Sequence, residues 1–502
     1  NAVSLSIDGA LGEVIQARGD FALQVDGFAD VFRSLMIQKT TETMVLANGN
    51  QLDVDQLALS GQNLSIFAGV GGSYFNDLNQ NGLIDADGER GNSDSIGFVL
   101  DGASIAMSLM STSDRSHALS QAQWLGLEAS ASTIGFVGLG ELMTVQASGL
   151  TVAVNQVAGL NATLNENEYV VDFRQQNSEI PLPDGTIQTL SLDGSLGELL
   201  RINAQVELAV AGMATISGQF GMEKSRRSLN TSNGALKHDV LTLGASGVTA
   251  FAGTGLASLS DSDGDGAITT KDLGNEHAGI LVSGLDVALV LADELDNADS
   301  ATGVQRIALS AEAKEAAFVA LPDATASVSN THFALNKVLG ATEGSSLPVL
   351  DLTEGNSLSI ATGGSSFEQL EVDGSLGELT QVATDLDLAI GENLALSGSV
   401  AMQISQRDVT LSDANGSQVT TGLLTLGGQN LSARLGSASG VGLDLSGLSG
   451  ALALHTALPG TQINGVALDN ARWLTIDAEI GAANIRGIQG ITTAVTDMAL
   501  QA

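Results

Sequence analysis

Apolar and polar residues alternate with a period of two over most of the chain. Between Leu386 and Ser405, the residues Leu, Ile, Val and Met recur mostly at every second position, with small or polar residues between them. This spacing puts apolar side chains on one face of a strand and polar ones on the other. The pattern is interrupted at Gly, Asn, Asp and Ser, which tolerate turns. The sequence therefore predicts an all-β chain built of half-buried strands.

The order of these strands predicts a repetitive architecture. A strand, a polar corner and a second strand recur about every 20–25 residues, which is close to the length of one solenoid rung. Aromatic residues make up only 3% of the chain, so a core of Leu, Val, Ile, Ala and Met suits flat layers. We expect an elongated repetitive β-solenoid or stacked-sheet array. A string of tandem β-sandwich domains, one or two per repeat, is the alternative.

Internal similarity divides the chain into three copies. SIDGALGEV, SLDGSLGEL and EVDGSLGEL contain Asp8, Asp193 and Asp373, which are 185 and 180 residues apart. A second landmark recurs in the same order as LALSGQNLSIFAGVG, LTLGASGVTAFAGTG and LTLGGQNLSARLGSA. Because identical active sites rarely occur in triplicate, we interpret the DG(A/S)LGE motif as a structural corner.

The repeats predict three units along the chain. They comprise residues 1–185, residues 186–368 and an incomplete unit of residues 369–502, which lacks the equivalent of the last ~35 residues of the second unit. The array begins near the start of a repeat and stops before the end of one. A portion of a longer repetitive protein would look like this, and a complete protein with a truncated last copy is the alternative.

Charge excludes several classes of partner. The 502 residues include 57 Asp and Glu but only 19 Lys and Arg, which gives a formal net charge of −38. We expect no nucleic-acid binding, because phosphates require basic residues, and no attraction to anionic membranes.

The absence of cysteine excludes disulfides and thiolate metal sites. Two uncharged runs, 142–165 and 445–468, are interrupted by polar residues, so we expect no membrane insertion.

A calcium loop is predicted within LSDSDGDGAITTKD, at residues 261–272. Calcium takes six to eight oxygen ligands, and a twelve-residue loop supplies them from positions one, three, five, seven, nine and twelve, with Gly at six for the sharp turn. Gly266 stands at position six. The residues at the six ligand positions are Asp261, Asp263, Asp265, Ala267 through its carbonyl, Thr269 through a water, and Asp272. The alternative is an acidic surface turn.

A second acidic loop, at residues 76–89, matches the same template less well. Asp77, Asn79, Asn81 and Asp85 fall on positions one, three, five and nine. Position twelve is a glycine, so Asp87 or Glu89 would have to supply the closing carboxylate. We expect a weaker or irregular site here, or a plain turn. In the third copy the loop is missing, and SASG stands at its place.

No catalytic constellation emerges from the sequence. None of the five histidines shares a repeat position with another, and His277 is expected to cap or solvate the calcium loop. The compact basic group Lys224, Arg226 and Arg227 is interpreted as part of a solvated turn. We therefore expect a protein that is not an enzyme.

The alternative is a β-solenoid that binds or cleaves carbohydrate, for which aligned aromatic and basic residues in a groove would be evidence. Trp124 and Trp473 occupy equivalent repeat positions, but Arg306 replaces tryptophan in the middle copy. A ladder of sugar-stacking rings is therefore not indicated.

The calcium loop and the repeated unit LTLGASGVTAFAGTG…AGILVSGLDVALVL resemble the repeat regions of giant, acidic, cysteine-free bacterial surface proteins of the large adhesin kind. The loop itself resembles those of dockerins and EF-hands. The resemblance implies an extracellular or cell-surface structural protein, such as an adhesin stalk, a filament or a surface-layer component, made rigid by Ca²⁺. Open β edges predict end-to-end self-association or pairing with further repeats of a longer chain. A cell-surface or glycan ligand is a further expected partner.

Overall fold

The computed structural model describes most of the chain. The residues it does not describe are 1–12, 26–28, 71–73, 77–90, 92–93, 139–142, 162–163, 165, 176–177, 211–212, 256–261, 263–267, 275–276, 298–299, 320–323, 341–346, 354, 365, 392, 414–415, 438–439, 459, 464, 469–470, 489–492 and 502. For residues 21–25, 29, 143 and 493–494, only the backbone is described.

The protein is all-β, as the sequence predicts. Strands account for 76% of the structure and helices for 3%. The strands are β1 (Ile15–Val25), β2 (Ala29–Val45), β3 (Gln51–Val70), β4 (Ile96–Thr112), β5 (Gln123–Val137), β6 (Met143–Ala158), β7 (Ser178–Pro181), β8 (Ile187–Leu190), β9 (Leu199–Val210), β10 (Ala214–Thr231), β11 (Gly234–Thr254), β12 (Ala278–Leu295), β13 (Ala301–Val319), β14 (Ala324–Leu339), β15 (Leu358–Gly363), β16 (Ser366–Leu370), β17 (Leu379–Ile390), β18 (Leu394–Thr410), β19 (Gln418–Gly436), β20 (Gly442–Ala457), β21 (Gln462–Ile463), β22 (Val466–Ala467), β23 (Arg472–Arg486) and β24 (Thr493–Gln501). One short helix, α1 (Glu166–Tyr169), and three 3-10 turns (Gly194–Leu196, Thr270–Asp272 and Gly374–Leu376) complete the described elements.

Eighteen of these strands form one antiparallel sheet. Each strand of this sheet pairs with the next sheet strand along the chain, so the chain follows a continuous meander from β1 to β24. The remaining six strands form three separate hairpins, β7–β8, β15–β16 and β21–β22. A β-solenoid or stacked-sheet array is not shown, and neither are tandem sandwiches.

The meander repeats in units of six strands. These units are β1–β6, then β9–β14, then β17–β20 with β23 and β24. The second sequence landmark lies in β3, β11 and β19, the third strand of each unit. The junctions between units are ordinary antiparallel pairs, β6 with β9 and β14 with β17. The unit limits predicted at 185 and 368 fall inside the hairpins β7–β8 and β15–β16 and stay a prediction.

A row of β-bulges recurs at equivalent positions of the three units. Each bulge has a residue with positive φ inside a sheet strand, and the pairing register shifts beside most of them. Gly and Asn are the residues that reach this conformation at least cost. Such bulges bend a strand and increase its twist. The equivalent sets are Asn63, Gly247 and Asn430 in the third strands, Gly102, Gly284 and Gly447 in the fourth, and Gly149, Asn330 and Asp497 in the sixth.

The main apolar core lies between the sheet and two segments that cover one of its faces. We call residues 164–198 the first cover segment and residues 347–378 the second cover segment; each follows the sixth strand of its unit and contains a short hairpin. In the first unit, Phe173 and Leu190 pack directly over Gly126, where a Cβ atom would lie 2.3 Å from Phe173 Cζ. In the second, Leu350 and Ile360 pack on apolar residues of β11 to β13.

Equivalent hydrogen bonds fix both cover segments. Buried Asn155 and Asn336 each donate from Nδ2 to a cover-segment carbonyl, that of Val171 and that of Leu350, at 2.7 Å in both cases. A backbone carbonyl buried without a donor would cost about 1–3 kcal/mol. These amide groups therefore let a polar backbone lie flat on an apolar sheet.

A second pair of donors acts two residues earlier in each cover segment. Trp124 Nε1 donates to the Tyr169 carbonyl at 2.6 Å. At the equivalent position Arg306 Nε donates to the Pro348 carbonyl at 2.8 Å. Both side chains are 1% exposed. Tryptophan and arginine thus perform the same task in different units.

The DG(A/S)LGE motif forms the corner between a cover segment and the next unit, as predicted. Asp193 and Asp373 cap 3-10 turns by accepting a hydrogen bond from the second residue beyond them, Ser195 N and Ser375 N. Glu198, the last residue of the motif, accepts a hydrogen bond from the backbone amide of Val157, the penultimate residue of β6. Burial raises the pKa of Glu198, and neighbouring Glu166 adds to that rise.

The described residues of the third unit end with its sixth strand, β24, so they do not reach the position that a cover segment occupies in the first two units. From β18 onward, the buried apolar residues within the described ranges are Val419, Leu423 and Ala457. Trp473, which is equivalent to Trp124, is half-buried, and no hydrogen bond from its indole is seen in the described part of the chain. In the same described part, no helix is both long and apolar enough to cross a membrane.

We predict that Asn336→Ala destabilises the second unit by about 1–3 kcal/mol, because the Leu350 carbonyl loses its donor while staying buried. Urea denaturation followed by circular dichroism measures the change. Lys337→Ala, at the exposed neighbouring position, is the matched control and should change stability by less than about 0.5 kcal/mol. Equal effects of the two substitutions would contradict the role given to Asn336.

Candidate metal centre

The two acidic loops occupy equivalent connections of the sheet. Residues 261–272 lie between β11 and β12, and residues 76–89 lie between β3 and β4. In the third unit, β19 ends at Gly436 and β20 begins at Gly442, so the same connection is short. The acidic loops are therefore insertions at one end of a repeated strand pair.

The structure describes only part of the predicted ligand set. Thr269 and Asp272 are described and lie close together. The remaining predicted ligands lie outside the described residues, and their placement stays a prediction: Asp261, Asp263, Asp265 and Ala267 of the first loop, and Asp77, Asn79, Asn81, Asp85, Asp87 and Glu89 of the second. Within the described ranges, no group of three or more His, Asp or Glu side chains is arranged to hold a metal ion.

The Asp272 carboxylate closes the loop by accepting hydrogen bonds from the backbone amides and the hydroxyl groups of Thr269 and Ser262. Its Oδ2 accepts from Thr269 N at 2.8 Å and from Thr269 Oγ1 at 3.1 Å. Its Oδ1 accepts from Ser262 N and Ser262 Oγ, both at 2.9 Å. The Thr269 backbone bond, followed by the bonds from Ser262, holds the pKa of Asp272 well below its usual range. A fixed, ionised carboxylate thus stands at position twelve.

Asp272 and Thr269 form a reciprocal cap on a short 3-10 turn. Thr269 is the N-cap of Thr270–Asp272, and its side chain accepts from Lys271 N. The Asp272 side chain returns to the Thr269 amide, which completes a capping box. The last four residues of the loop are therefore joined by their own hydrogen bonds before any ion is considered.

Glu315 of β13 ties this turn to the sheet. Its Oε2 accepts from Thr270 N at 3.0 Å, and its Oε1 accepts from Thr270 Oγ1 at 2.6 Å. Glu315 is 45 residues from Thr270 along the chain. No feature of the loop template identifies this residue, because the contact depends on the pairing of β12 with β13.

His277 caps the end of the loop from a buried position. Its Nδ1 accepts from Gly274 N at 2.9 Å, and its own amide donates to the Gly274 carbonyl at 3.1 Å. The ring is 1% exposed and packs edge-on against Phe251, with ring centroids 6.2 Å apart. Capping is as predicted, while solvation is not observed.

Asp30 at the start of β2 is a buried carboxylate beside the second acidic loop, and the sequence pattern does not single it out. Its Oδ2 accepts from Tyr74 N at 3.0 Å and from Phe75 N at 3.3 Å. Asp30 is 1% exposed, and its Oδ1 has no hydrogen-bond partner in the described part of the chain. One feature of the sequence could have identified Asp30 as buried. It lies two positions before Phe32 and therefore on the same, buried face of β2.

The basic group at Lys224, Arg226 and Arg227 lies inside β10, so the predicted solvated turn is wrong. Arg227 and Arg201 both pair with Glu223, which is 4% exposed, and Arg226 pairs with Asp239 at 2.5 Å. The pairs of Arg201 with Glu223 and of Arg226 with Asp239 join neighbouring strands, whereas Arg227 pairs with Glu223 within β10, and the turn begins only after Thr231.

Arg306 belongs to a buried network of the second unit. Its Nη1 lies 2.6 Å from Glu294 Oε2 and 3.1 Å from His238 Nε2. Burial, together with the Arg306 charge, lowers the pKa of His238 and keeps its ring neutral. Since Trp124 is equally buried, neither residue presents a surface on which a sugar ring could stack.

These features define an all-β repeat protein with acidic insertions between paired strands. No protein-family model matches the sequence, and a search of curated proteins finds no similar protein. Among solved structures, the chain is similar to the FrpB iron transporter from Neisseria meningitidis (F3-3 variant), with 9% identity and a TM-score of 0.20 over 95% of this chain and 72% of the transporter chain. A similarity of this size supports no argument about function.

We predict that Asp272 makes stability depend on pH below about 5. Because its pKa is lowered on folding, its contribution is present above the usual aspartate pKa of about 4 and is lost as the pH falls toward the folded value. In metal-free buffer, the melting temperature of Asp272→Asn should lie below that of the parent protein at pH 6, and the difference should shrink by pH 2.5.

Asp387→Asn, at an exposed position of β17, is the control and should melt like the parent protein at both pH values. A difference for Asp272→Asn that stays constant from pH 6 to pH 2.5 would show that the Asp272 carboxylate contributes no ionised, hydrogen-bonded cap.

Proposed function

We propose that this chain is a structural, non-enzymatic repeat segment of a secreted or cell-surface protein, and that calcium makes its acidic connections rigid. An adhesin stalk, an extracellular filament and a surface-layer component all fit this class. The observation that carries the proposal is the continuous meander, in which one six-strand unit recurs and each junction is a normal strand pair.

The meander suits a protein that spans distance. Neighbouring strands lie about 4.8 Å apart, so eighteen strands cover about 80 Å along the sheet. Each added unit extends the same sheet without a new kind of interface. Four buried side chains donate hydrogen bonds to carbonyl groups of the cover segments and so hold these segments on the sheet: Asn155, Asn336, Trp124 and Arg306. Their use in packing supports a structural role.

Calcium is supported by the chemistry of the first loop and its surroundings. Three aspartates alternate ahead of the Gly at position six, and the closing Asp272 is held ionised by the hydrogen bonds of a capped turn. A chain with a formal net charge of −38 repels itself, and bound divalent cations would reduce this repulsion. Beside the second loop, Asp30 offers a buried oxygen that lacks a partner among the described residues.

An extracellular location follows from the kind of site proposed. Modules outside cells bind calcium with dissociation constants of roughly 10⁻⁴–10⁻³ M, which extracellular calcium can fill and cytosolic calcium cannot. The acidic, cysteine-free composition is compatible with exposure on a cell surface.

The test is a pair of thermal melts, one in chelator and one in 10 mM calcium, with calcium stoichiometry measured on the same sample. At ten times the dissociation constant, one bound ion stabilises the folded state by about 1.4 kcal/mol. We expect one or two bound ions and a higher melting temperature in calcium. The variant Asp261→Asn, Asp263→Asn, Asp265→Asn should lose one ion and most of the shift.

Asp387→Asn again serves as the control and should keep both the stoichiometry and the shift. If the parent protein binds no calcium and melts at the same temperature in both buffers, then the loops are acidic turns and the calcium part of the proposal fails.

A further inference from the structure

The sheet has a second apolar surface on the face that points away from the cover segments, and we call this the open face. Successive residues of a strand point to opposite faces. Because Asn336 reaches the second cover segment, its neighbour Leu335 points to the open face. The pairing registers place Leu335 in a row that crosses the sheet from β2 to β23, and we call this the apolar row. Its members are Leu35, Gly61, Ile105, Ala129, Val152, Ile202, Met222, Leu243, Leu289, Leu309, Leu335, Thr380, Ile404, Leu424, Leu454 and Leu474.

The apolar row is interrupted only at Gly61 and Thr380, and several of its side chains reach solvent. Leu243 is 37% exposed, Ile404 48% and Leu474 55%. A second row lies beside it in the second and third units and consists of Phe220, Ala245, Val287, Ala311, Phe333, Val382, Met402, Leu426, Leu452 and Ile476. Contiguous apolar surfaces of this extent mark sites of interaction or ligand binding.

The open face is concave, because the sheet bends toward it at the row of β-bulges. Leu64 follows the bulge of β3, and a Cβ atom on Gly61 would lie 3.0 Å from Leu64 Cδ1 on this face. Leu64 is nevertheless only 3% exposed, and Val248, its equivalent in β11, is 6% exposed. The side chains that bury Leu64 belong to the sheet, with Leu35 on one side of the bulge and Ile66 on the other. The two halves of the strands therefore form the walls of a trough that crosses the sheet.

Basic residues line the side of the apolar row that is farther from the bulges. Lys224, Lys337 and Arg472 each lie two positions from a member of the row and are exposed. Lys224 and Lys337 share one pairing row, with three apolar residues between them and no carboxylate. Carboxylates begin one row further out, at Asp239, which pairs with Arg226. Since the chain has 57 acidic and only 19 basic residues, cations next to the apolar row favour an anionic ligand.

The hydrogen-bonding groups of the two faces differ. The covered face supplies side-chain donors, such as Asn155 and Asn336, to the carbonyl groups of the cover segments. In the apolar row the one side-chain donor is Thr380, and the backbone groups of these strands are used in the sheet. An irregular polypeptide in the trough would therefore leave its carbonyl groups without donors. A second copy of this chain presents the same concave surface, and two troughs cannot fill each other.

We propose that the trough binds the acyl chain of an anionic lipid. The acyl chain has no polar groups to satisfy and lies along the apolar row, while the head group contacts Lys224 and Lys337 in the second unit or Arg472 in the third. The site takes single lipid molecules and requires no insertion into a bilayer. The proposal depends neither on calcium nor on the structural role proposed above.

A palmitic acid with a diazirine in its chain tests the location of the site. The probe is added in chelator below its critical micelle concentration, and after irradiation the labelled residues are identified by mass spectrometry. We expect labelling of Leu243, Leu289 and Leu309 at least fivefold above that of Thr242 and Ala308, because these two point to the covered face. Excess oleate should abolish this labelling.

Three results would overturn the proposed site. They are equal labelling of neighbouring residues, labelling confined to exposed apolar side chains of the cover hairpins such as Ile187 and Phe367, and no labelling. Sedimentation equilibrium supplies a further check. If the protein forms a dimer that Leu243→Asp dissociates, then a second copy occupies the open face and the proposal is wrong.

Exchange of charge tests the part given to the lysines. The double variant Lys224→Glu, Lys337→Glu changes two exposed side chains, so we expect it to fold like the parent protein. It should weaken binding of cis-parinaric acid at least tenfold, as measured by the fluorescence of this fatty acid. Binding of the uncharged methyl ester should change by less than twofold.

The matched control is Arg115→Glu, Lys271→Glu, in which two exposed cations of connections outside the sheet are changed. It should bind acid and ester like the parent protein. Equal binding of the acid by the two double variants, or equal weakening for acid and ester, would contradict the contact between the head group and the lysines.

Discussion

The structure depends on covering one face of a long antiparallel sheet. Strands of up to about twenty residues with a period-two pattern have an apolar face whose exposure to water is unfavourable, and a single sheet offers no second layer of its own. The two cover segments supply that layer over the two largest buried clusters, one in each of the first two units. A cover segment is mostly irregular backbone, so its carbonyl groups need donors from the sheet. Asn155 and Asn336 provide them at equivalent places.

Much of this organisation could be predicted from the sequence. Period-two alternation identified strands, and the repeated landmarks lie in equivalent strands of the three units. The DG(A/S)LGE motif predicts a corner, and its Asp and Gly form capped turns in both described copies. Local chemistry determines these features, and local chemistry can be seen in a single sequence.

Pairing and burial could not be predicted in the same way. The alternation of apolar and polar residues looks the same in a solenoid rung and in a meander. It indicates that one face of a strand is buried, but it does not indicate which strand lies beside it. Arg306 is a cation in the sequence, yet it replaces tryptophan as a buried donor because Glu294 and a cover-segment carbonyl surround it. The contacts of Glu315 and Asp30 with the acidic connections likewise arise from strand pairing, which brings distant residues together.

The stabilisation of the sheet by its cover segments is the central claim, and amide hydrogen exchange with mass spectrometry on residues 1–502 tests it most directly. Exchange in the middle strands of the first two units, β3 to β5 and β11 to β13, should be at least tenfold slower than in the equivalent strands β19, β20 and β23 of the third unit, since opening a covered strand exposes a buried core. Equal protection across all three units would show that strand pairing alone stabilises the sheet, and it would contradict the importance given to the cover segments.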